Sequence, residues 1–316
     1  MTAILSDEFL ELVSRRTLRC DIRIWGFGVG PALVGLLRAG ALLDEPCLVD
    51  MVEALVAPSL TLPADPTDHL ISVETLLELQ RIRPGLDVGP AIERFRVAVT
   101  RAQRPIDNQP PVHRPDLDAL AHIIWVDCMH TDGPGLAALG LEANAVSSAE
   151  EVAAVLQDDS GLFSHAYDIV AGRANGVHWG RGQGWALHGL VLGGSSQGLT
   201  DRLDRLLLAM ASLEVDGQWR TVVDDASAPV EASVSAIMAS GILLGVSQGR
   251  VSGDWLPMAR RALIAAANAT DADGGLNVSE ATPASVHADY LTRASGIFPW
   301  GQGPLLLALA EGRKHL

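Results

Sequence analysis

The chain has 316 residues, 48% of them hydrophobic and only 4% aromatic, and a formal net charge of -15 from 38 acidic against 23 basic side chains. No basic run offsets that acidity, which excludes a nucleic-acid partner, and no apolar stretch reaches the length of a membrane span. Cys20, Cys47 and Cys128 are odd in number and widely spaced, and the opening "MTAILSDEFLELVSRR" carries acids inside its apolar run. Free thiols, no signal peptide and a cytoplasmic location are therefore expected.

In chain order, apolar residues recur at helical spacing over about 8–16, 28–44, 46–60, 69–82, 88–104, 119–142 with a break near Gly133-Pro134, 148–157, 184–192, 200–214, 230–247, 254–269 and 303–312. "RPIDNQPPVHRPD" (104–116) is a long loop of the kind that covers something. No Pro, Gly or Ser run marks a linker, so residues 1–316 are expected to form one domain.

Two marks repeat along these elements. The pattern G-x-G-[P/W]-x-L-x-x-L occurs at 28–36, 182–190 and 301–309, each time shortly after a tryptophan (Trp25, Trp179, Trp300). An acidic turn with glycine followed by extended-looking residues occurs in "DDSGLFSHAY", "EVDGQWRTVV" and "DADGGLNVSE", whose glycines Gly161, Gly217 and Gly274 lie 56 and 57 residues apart. Twelve helices at this period predict an all-α fold, an (α/α)6 toroid of six helical hairpins with short β-hairpins in the loops. The stretch "HWGRGQGWALHGLVLGG" (178–194) lacks the G-K-[S/T] of a Walker loop and the βαβ setting of a dinucleotide loop. Its glycines are expected to bring backbone close to a ligand at a helix N-terminus.

Polar residues interrupt the apolar helices at "TDHL" (67–70), "IIWVDCMHTDGPGLA" (123–137) and "GLFSHAYD" (161–168). Asp127 directly follows Ile-Ile-Trp-Val, where burial is costly unless the carboxyl is paired or protonated; it reads either as an N-cap or ion-pair partner, or as a general acid. Asp68 reads first as an N-cap and His165 as a satisfied polar residue. Trp125, Trp179 and Trp219 fit either a core or a sugar-stacking role. His122, Asp127, Cys128, His130 and His165 match no zinc spacing, so no metal or other cofactor is expected.

Taken in order, "WVDCMHTDGPGLA", "GLFSHAYD", "HWGRGQGW", "DGQWRTVVDD", "VEASVSAIMASGI" and "PWGQGPLLLAL" resemble glycoside hydrolase family 105, the unsaturated rhamnogalacturonyl hydrolases, and its sister family 88 of unsaturated glucuronyl hydrolases. The resemblance runs from about Trp25 to the C-terminus and implies the same toroid. It implies catalytic roles for Asp127, the acid and base, and for Asp68. It implies substrate contacts from Trp125, His165, Trp179, Arg181, Gln183, Trp185 and Trp219, with Glu231 and Ser233 bordering the pocket. Gln183 stands where the rhamnogalacturonyl enzymes usually carry Asn, and R-G-Q is closer to the glucuronyl group.

The implied substrate is a small oligosaccharide whose terminal uronic acid carries a C4=C5 double bond left by a polysaccharide lyase. Asp127 would protonate C4 and then, as carboxylate, take a proton from the water attacking C5. The resulting hemiketal opens and expels the neighbouring sugar. A toroid isomerase or epimerase acting on a free sugar, and a non-catalytic carbohydrate-binding relative, are the alternatives.

Overall fold

The computed structural model describes residues 1, 3–22, 28–61, 71–101, 112, 114, 117–283 and 285–316. Its helices are α1 (Asp7–Thr17), α2 (Gly30–Leu43), α3 (Pro46–Val56), α4 (Ile71–Ile82), α5 (Gly89–Arg101), α6 (Asp127–Thr131), α7 (Gly133–Ala138), α8 (Glu142–Leu156), α9 (Gly180–Leu192), α10 (Gln197–Ser212), α11 (Ala232–Ser247), α12 (Leu256–Asn268), α13 (His287–Leu291) and α14 (Pro299–His315). Ordinary end signals start them. Ser6 accepts a hydrogen bond from the Phe9 amide at the head of α1, Ser196 does the same for Leu199 at α10, and prolines stand in the first turns of α2, α3, α12 and α14.

Burial sorts the helices into two layers. Helices α9, α11 and α14 are buried on every side, over Gly180–Val191, Ser233–Gly245 and Pro299–Gly312. Helix α10 buries only the stripe Leu199, Leu203, Leu206, Leu207 and Met210. Contacts then close a ring: α2 packs on α4, α4 on α7, α6 and α7 on α9, α9 on α11, α11 on α14, and α14 back on α2. Outside it, α3 lies against α2 and α4, α8 against α6 and α7, α10 against α8 and α9, α12 against α11 and α14, and α1 against α14 and α2. This is the toroid of alternating inner and outer helices that the repeat predicts.

The repeating glycines serve this packing. A Cβ on Gly182 would stand 2.9 Å from Val126 Cγ1 and one on Gly301 2.9 Å from Val278, while Gly184, Gly189 and Gly303 face Ile237, the Met129 carbonyl and the Ala32 backbone at closer range still. The expectation that these glycines cradle a ligand is thus corrected: at each of these positions the close approach is to neighbouring protein, largely from one inner helix to the next. The second repeat has an equally physical origin. Gly161, Gly217 and Gly274 all have positive φ (89°, 78° and 81°), and a Cβ at each would strike the backbone of the next outer helix at Arg205, Arg261 and Leu12. Each turn is a seat for the following hairpin, which fixes the period.

The fourth residue of three inner helices ties these turns down. Gln183 of α9 accepts from the Phe163 amide (2.8 Å) and donates to the Phe163 carbonyl (2.7 Å). Gln302 of α14 accepts from the Leu276 amide (2.6 Å) and donates to the Gly274 carbonyl (3.1 Å), and Ser235 of α11 donates to the Gly217 carbonyl (2.8 Å).

Residues 119–142 were expected to be helical; instead β1 (Ile123–Trp125) precedes α6. It pairs antiparallel with β2 (Ala166–Asp168), Ile124 opposite Tyr167 and Trp125 opposite Ala166, and β2 pairs in turn with β3 (Arg173–Ala174). The β-branched pair Ile123-Ile124 favours this extended form once a partner strand is present. A second two-stranded sheet joins β4 (Asn277–Ser279) and β5 (Ser295–Ile297). Among the described residues no helix is long and apolar enough to cross a membrane.

Candidate active site

The candidate residues gather where the inner helices begin. Strand β1 runs directly into α6, so Asp127 is the first residue of that helix, and the Val126 amide donates to the His165 carbonyl (2.9 Å), which joins the two motif segments. The Asp127 carboxyl keeps 14% of its side-chain surface open to solvent, and its Oδ2 lies 3.3 Å from Nε2 of the buried His165. Trp125 is partly exposed beside it. The acid is therefore a paired carboxyl with one open side, which relieves the desolvation that its apolar flank would otherwise impose.

His165 is held from three directions. Its ring lies on Trp179 with centroids 4.4 Å apart, its Nε2 faces Asp127, and its Nδ1 lies 2.6 Å from the Tyr290 hydroxyl. Tyr290 comes from α13 and also receives a hydrogen bond from Asn175 Nδ2 (3.1 Å). Neither residue belongs to a motif that the sequence reading singled out. Tyr290 lies in a short helix without periodicity and Asn175 at the end of a hairpin, so only their shared target reveals them.

The second residues of three inner helices meet nearby. Arg181 of α9 donates from Nη1 to Ser233 Oγ of α11 (3.2 Å) and to the Ser279 carbonyl and Oγ (3.1 and 3.2 Å), and from Nη2 to the Glu280 carbonyl (2.9 Å). Its guanidinium lies over Trp179 (4.7 Å) and Trp300 of α14 (5.8 Å), and Glu231 Oε1 is 4.0 Å away. Burial pulls its pKa down to about 10, against the opposing pull of Glu231 and Asp127. Glu231 caps α11 by accepting from the Ser233 amide and hydroxyl, and it also accepts from the Ser279 amide. Arg181 thus cements β4 and the start of α11 to α9. Among the described residues no hydrogen-bond acceptor faces Arg181 Nε or Trp179 Nε1, both buried.

The other expected substrate contacts lie deeper. Both ends of the Gln183 amide are committed to Phe163 and Trp179, Trp185 is fully buried against His130, and Trp219 is buried with its Nε1 donating to the Met210 carbonyl (2.8 Å). These three present no surface to a ligand here, because each is buried among neighbouring protein. Asp68 and Trp25 lie outside the described residues. Among the described residues no group of three or more His, Cys, Asp or Glu is placed to hold a metal ion.

With this geometry in view, the sequence matches Glycosyl Hydrolase Family 88 over residues 23–316. The chain belongs to glycosyl hydrolase family 88. Unsaturated rhamnogalacturonyl hydrolase YesR of Bacillus subtilis is 29% identical to this family 88 chain over 180 residues, 51% of the chain and 49% of YesR, so the match spans about half the length of that curated relative. A structure from Klebsiella pneumoniae, described as a possible member of the GH105 family, is 19% identical over 98% of this chain and 93% of its own, with a TM-score of 0.86. The unsaturated glucuronyl hydrolase of Bacillus sp. GL1, described as responsible for the degradation of glycosaminoglycan, is 17% identical over 95% and 94%, with a TM-score of 0.73. These two structures share the toroid fold.

Proposed function

We propose that this family 88 protein is a hydrolase that removes a 4,5-unsaturated uronic acid from the non-reducing end of lyase-generated oligosaccharides by hydrating the double bond. The observation that carries the reading is the Asp127–His165 pair: one carboxyl, partly open to solvent, held on one oxygen by a buried histidine at the mouth of the inner ring. Such a group can serve in turn as proton donor and proton acceptor. Asp127 protonates C4, water attacks C5, and the carboxylate just formed takes the water's proton. The hemiketal then opens and releases the neighbouring sugar.

In this reading Trp125 flanks the uronate, while His165 and Trp179 hold Asp127 in place. Arg181 supplies positive potential beneath the site and fixes the Ser279–Glu280 wall, and Gln183, Trp185 and Trp219 support those residues from within. Asp68 is proposed as the second acidic residue of the site. Three free thiols, at Cys20, Cys47 and Cys128, support a reducing, cytoplasmic setting.

The test is a panel of lyase-generated unsaturated disaccharides, with the ultraviolet absorbance of the double bond followed while the released sugar is separated and identified. Loss of absorbance matched by release of one sugar per event is expected. Interconversion of a free sugar with no release would favour the isomerase alternative.

A further inference from the structure

We infer that Tyr290 and Asn175 are positioning residues that set the tautomer of His165, so that its Nε2 carries the proton and donates to Asp127. This rests on the reading of Asp127 as acid and base.

The chain of donors can be followed from one end. Asn175 Oδ1 accepts from the Ala166 and Val177 amides (3.4 and 3.3 Å), which fixes which end of the amide faces away. Its Nδ2, able only to donate, therefore points at the Tyr290 oxygen (3.1 Å). Burial keeps the phenol protonated, its pKa pushed up to about 12. With Asn175 donating to its oxygen, Tyr290 turns its own hydrogen toward its other polar neighbour, His165 Nδ1, 2.6 Å away. A neutral imidazole that accepts at Nδ1 carries its proton on Nε2. That nitrogen lies 3.3 Å from Asp127 Oδ2, an ion-pair distance.

The consequence for the reaction is directional. A histidine that donates to Oδ2 leaves Oδ1 as the oxygen that carries the mobile proton to C4 and later collects one from water. The same donor stabilises the carboxylate between those two events. The opposite tautomer would present a lone pair to Asp127 and draw the acid's proton away from the substrate. Tyr290 is 1% exposed and acts only through His165.

Two variants and one spectrum test this. Tyr290→Phe removes the donor to Nδ1, and Asn175→Asp replaces a donor to the phenol oxygen by an acceptor, which invites the phenol hydrogen away from His165. In both, kcat is expected to fall about 10- to 100-fold, the range seen when the orienting partner of a functional histidine is lost, with KM changing less than about threefold. In ring-15N-labelled protein, with the His165 signals assigned by their loss in His165→Gln, the wild type is expected to show a protonated Nε2 and an acceptor Nδ1, and Asn175→Asp to shift that pattern. A wild-type His165 protonated at Nδ1, or a folded Tyr290→Phe that keeps kcat within about twofold, overturns the inference. The spectrum needs no substrate. It therefore reads the relay even if the wild-type protein consumes no unsaturated disaccharide, a result that would count against the proposed reaction instead.

Discussion

Arg181→Lys separates a residue that holds the site together from one that reads the substrate. The guanidinium reaches Ser233 and Ser279 with Nη1 and the Glu280 carbonyl with Nη2, whereas a single ammonium can serve only one of these two directions. Lysine keeps the charge opposite Glu231, so the pair itself survives. What is lost is the Glu280 hydrogen bond and part of the Ser279 set. Bonds to a charged group contribute about 1.5–3 kcal/mol each, which puts the loss at ~2–4 kcal/mol. At roughly 2 cal/mol/K of unfolding entropy per residue, that lowers Tm by about 3–6 °C. The assay is calorimetry and steady-state kinetics on one preparation, with kcat/KM corrected for folded protein. The expected result is the Tm loss with kcat/KM within about fivefold of wild type. An unchanged Tm with kcat/KM down about 30-fold or more would refute the reasoning and make Arg181 a direct substrate ligand.

Gln183→Leu and Gln302→Leu should behave alike, because each strands a buried backbone amide and carbonyl that its side chain now satisfies. Each is expected to cost ~2–5 kcal/mol in denaturant unfolding, and a stability loss confined to one of them would contradict the structural equivalence. Glu74 is held by burial at a pKa of about 7, with Arg38 opposing the shift. Its folded pKa exceeds the unfolded value, so the folded state binds the extra proton between about pH 4.5 and 7 and loses stability as pH rises through that window. Glu74→Gln should therefore stabilise the protein by up to ~3 kcal/mol at pH 8 and by almost nothing at pH 4.5, and equal effects at the two pH values would rule this out.

The toroid was legible because its two repeats are packing rules written in residues. A glycine with positive φ seats each turn on the next outer helix, and a helix buried on every side follows it. The same regularity misled the reading of the glycines, and Gln183, which the resemblance implies as a substrate contact, is committed to the Phe163 turn. Residues that recur for packing sit beside residues that act, and spacing alone does not separate them. Strand β1 was missed because Ile-Ile-Trp-Val suits a helix or a strand equally, and the choice is made by a partner strand some 40 residues on. Asp127 and His165 were visible as polar residues in apolar surroundings. Tyr290 and Asn175 were not, since their importance lies in a hydrogen-bonded chain joining residues up to 125 positions apart.

The central claim is that Asp127 both gives and takes the proton. It is tested by the rate at which Asp127→Asn removes the ultraviolet absorbance of an unsaturated disaccharide that the wild-type protein consumes, measured on protein whose unfolding transition matches wild type. Loss of one such acid and base typically costs about 100- to 10,000-fold, and the same group serving twice places Asp127→Asn at least there. A correctly folded variant that keeps more than about a tenth of the wild-type rate would contradict the account.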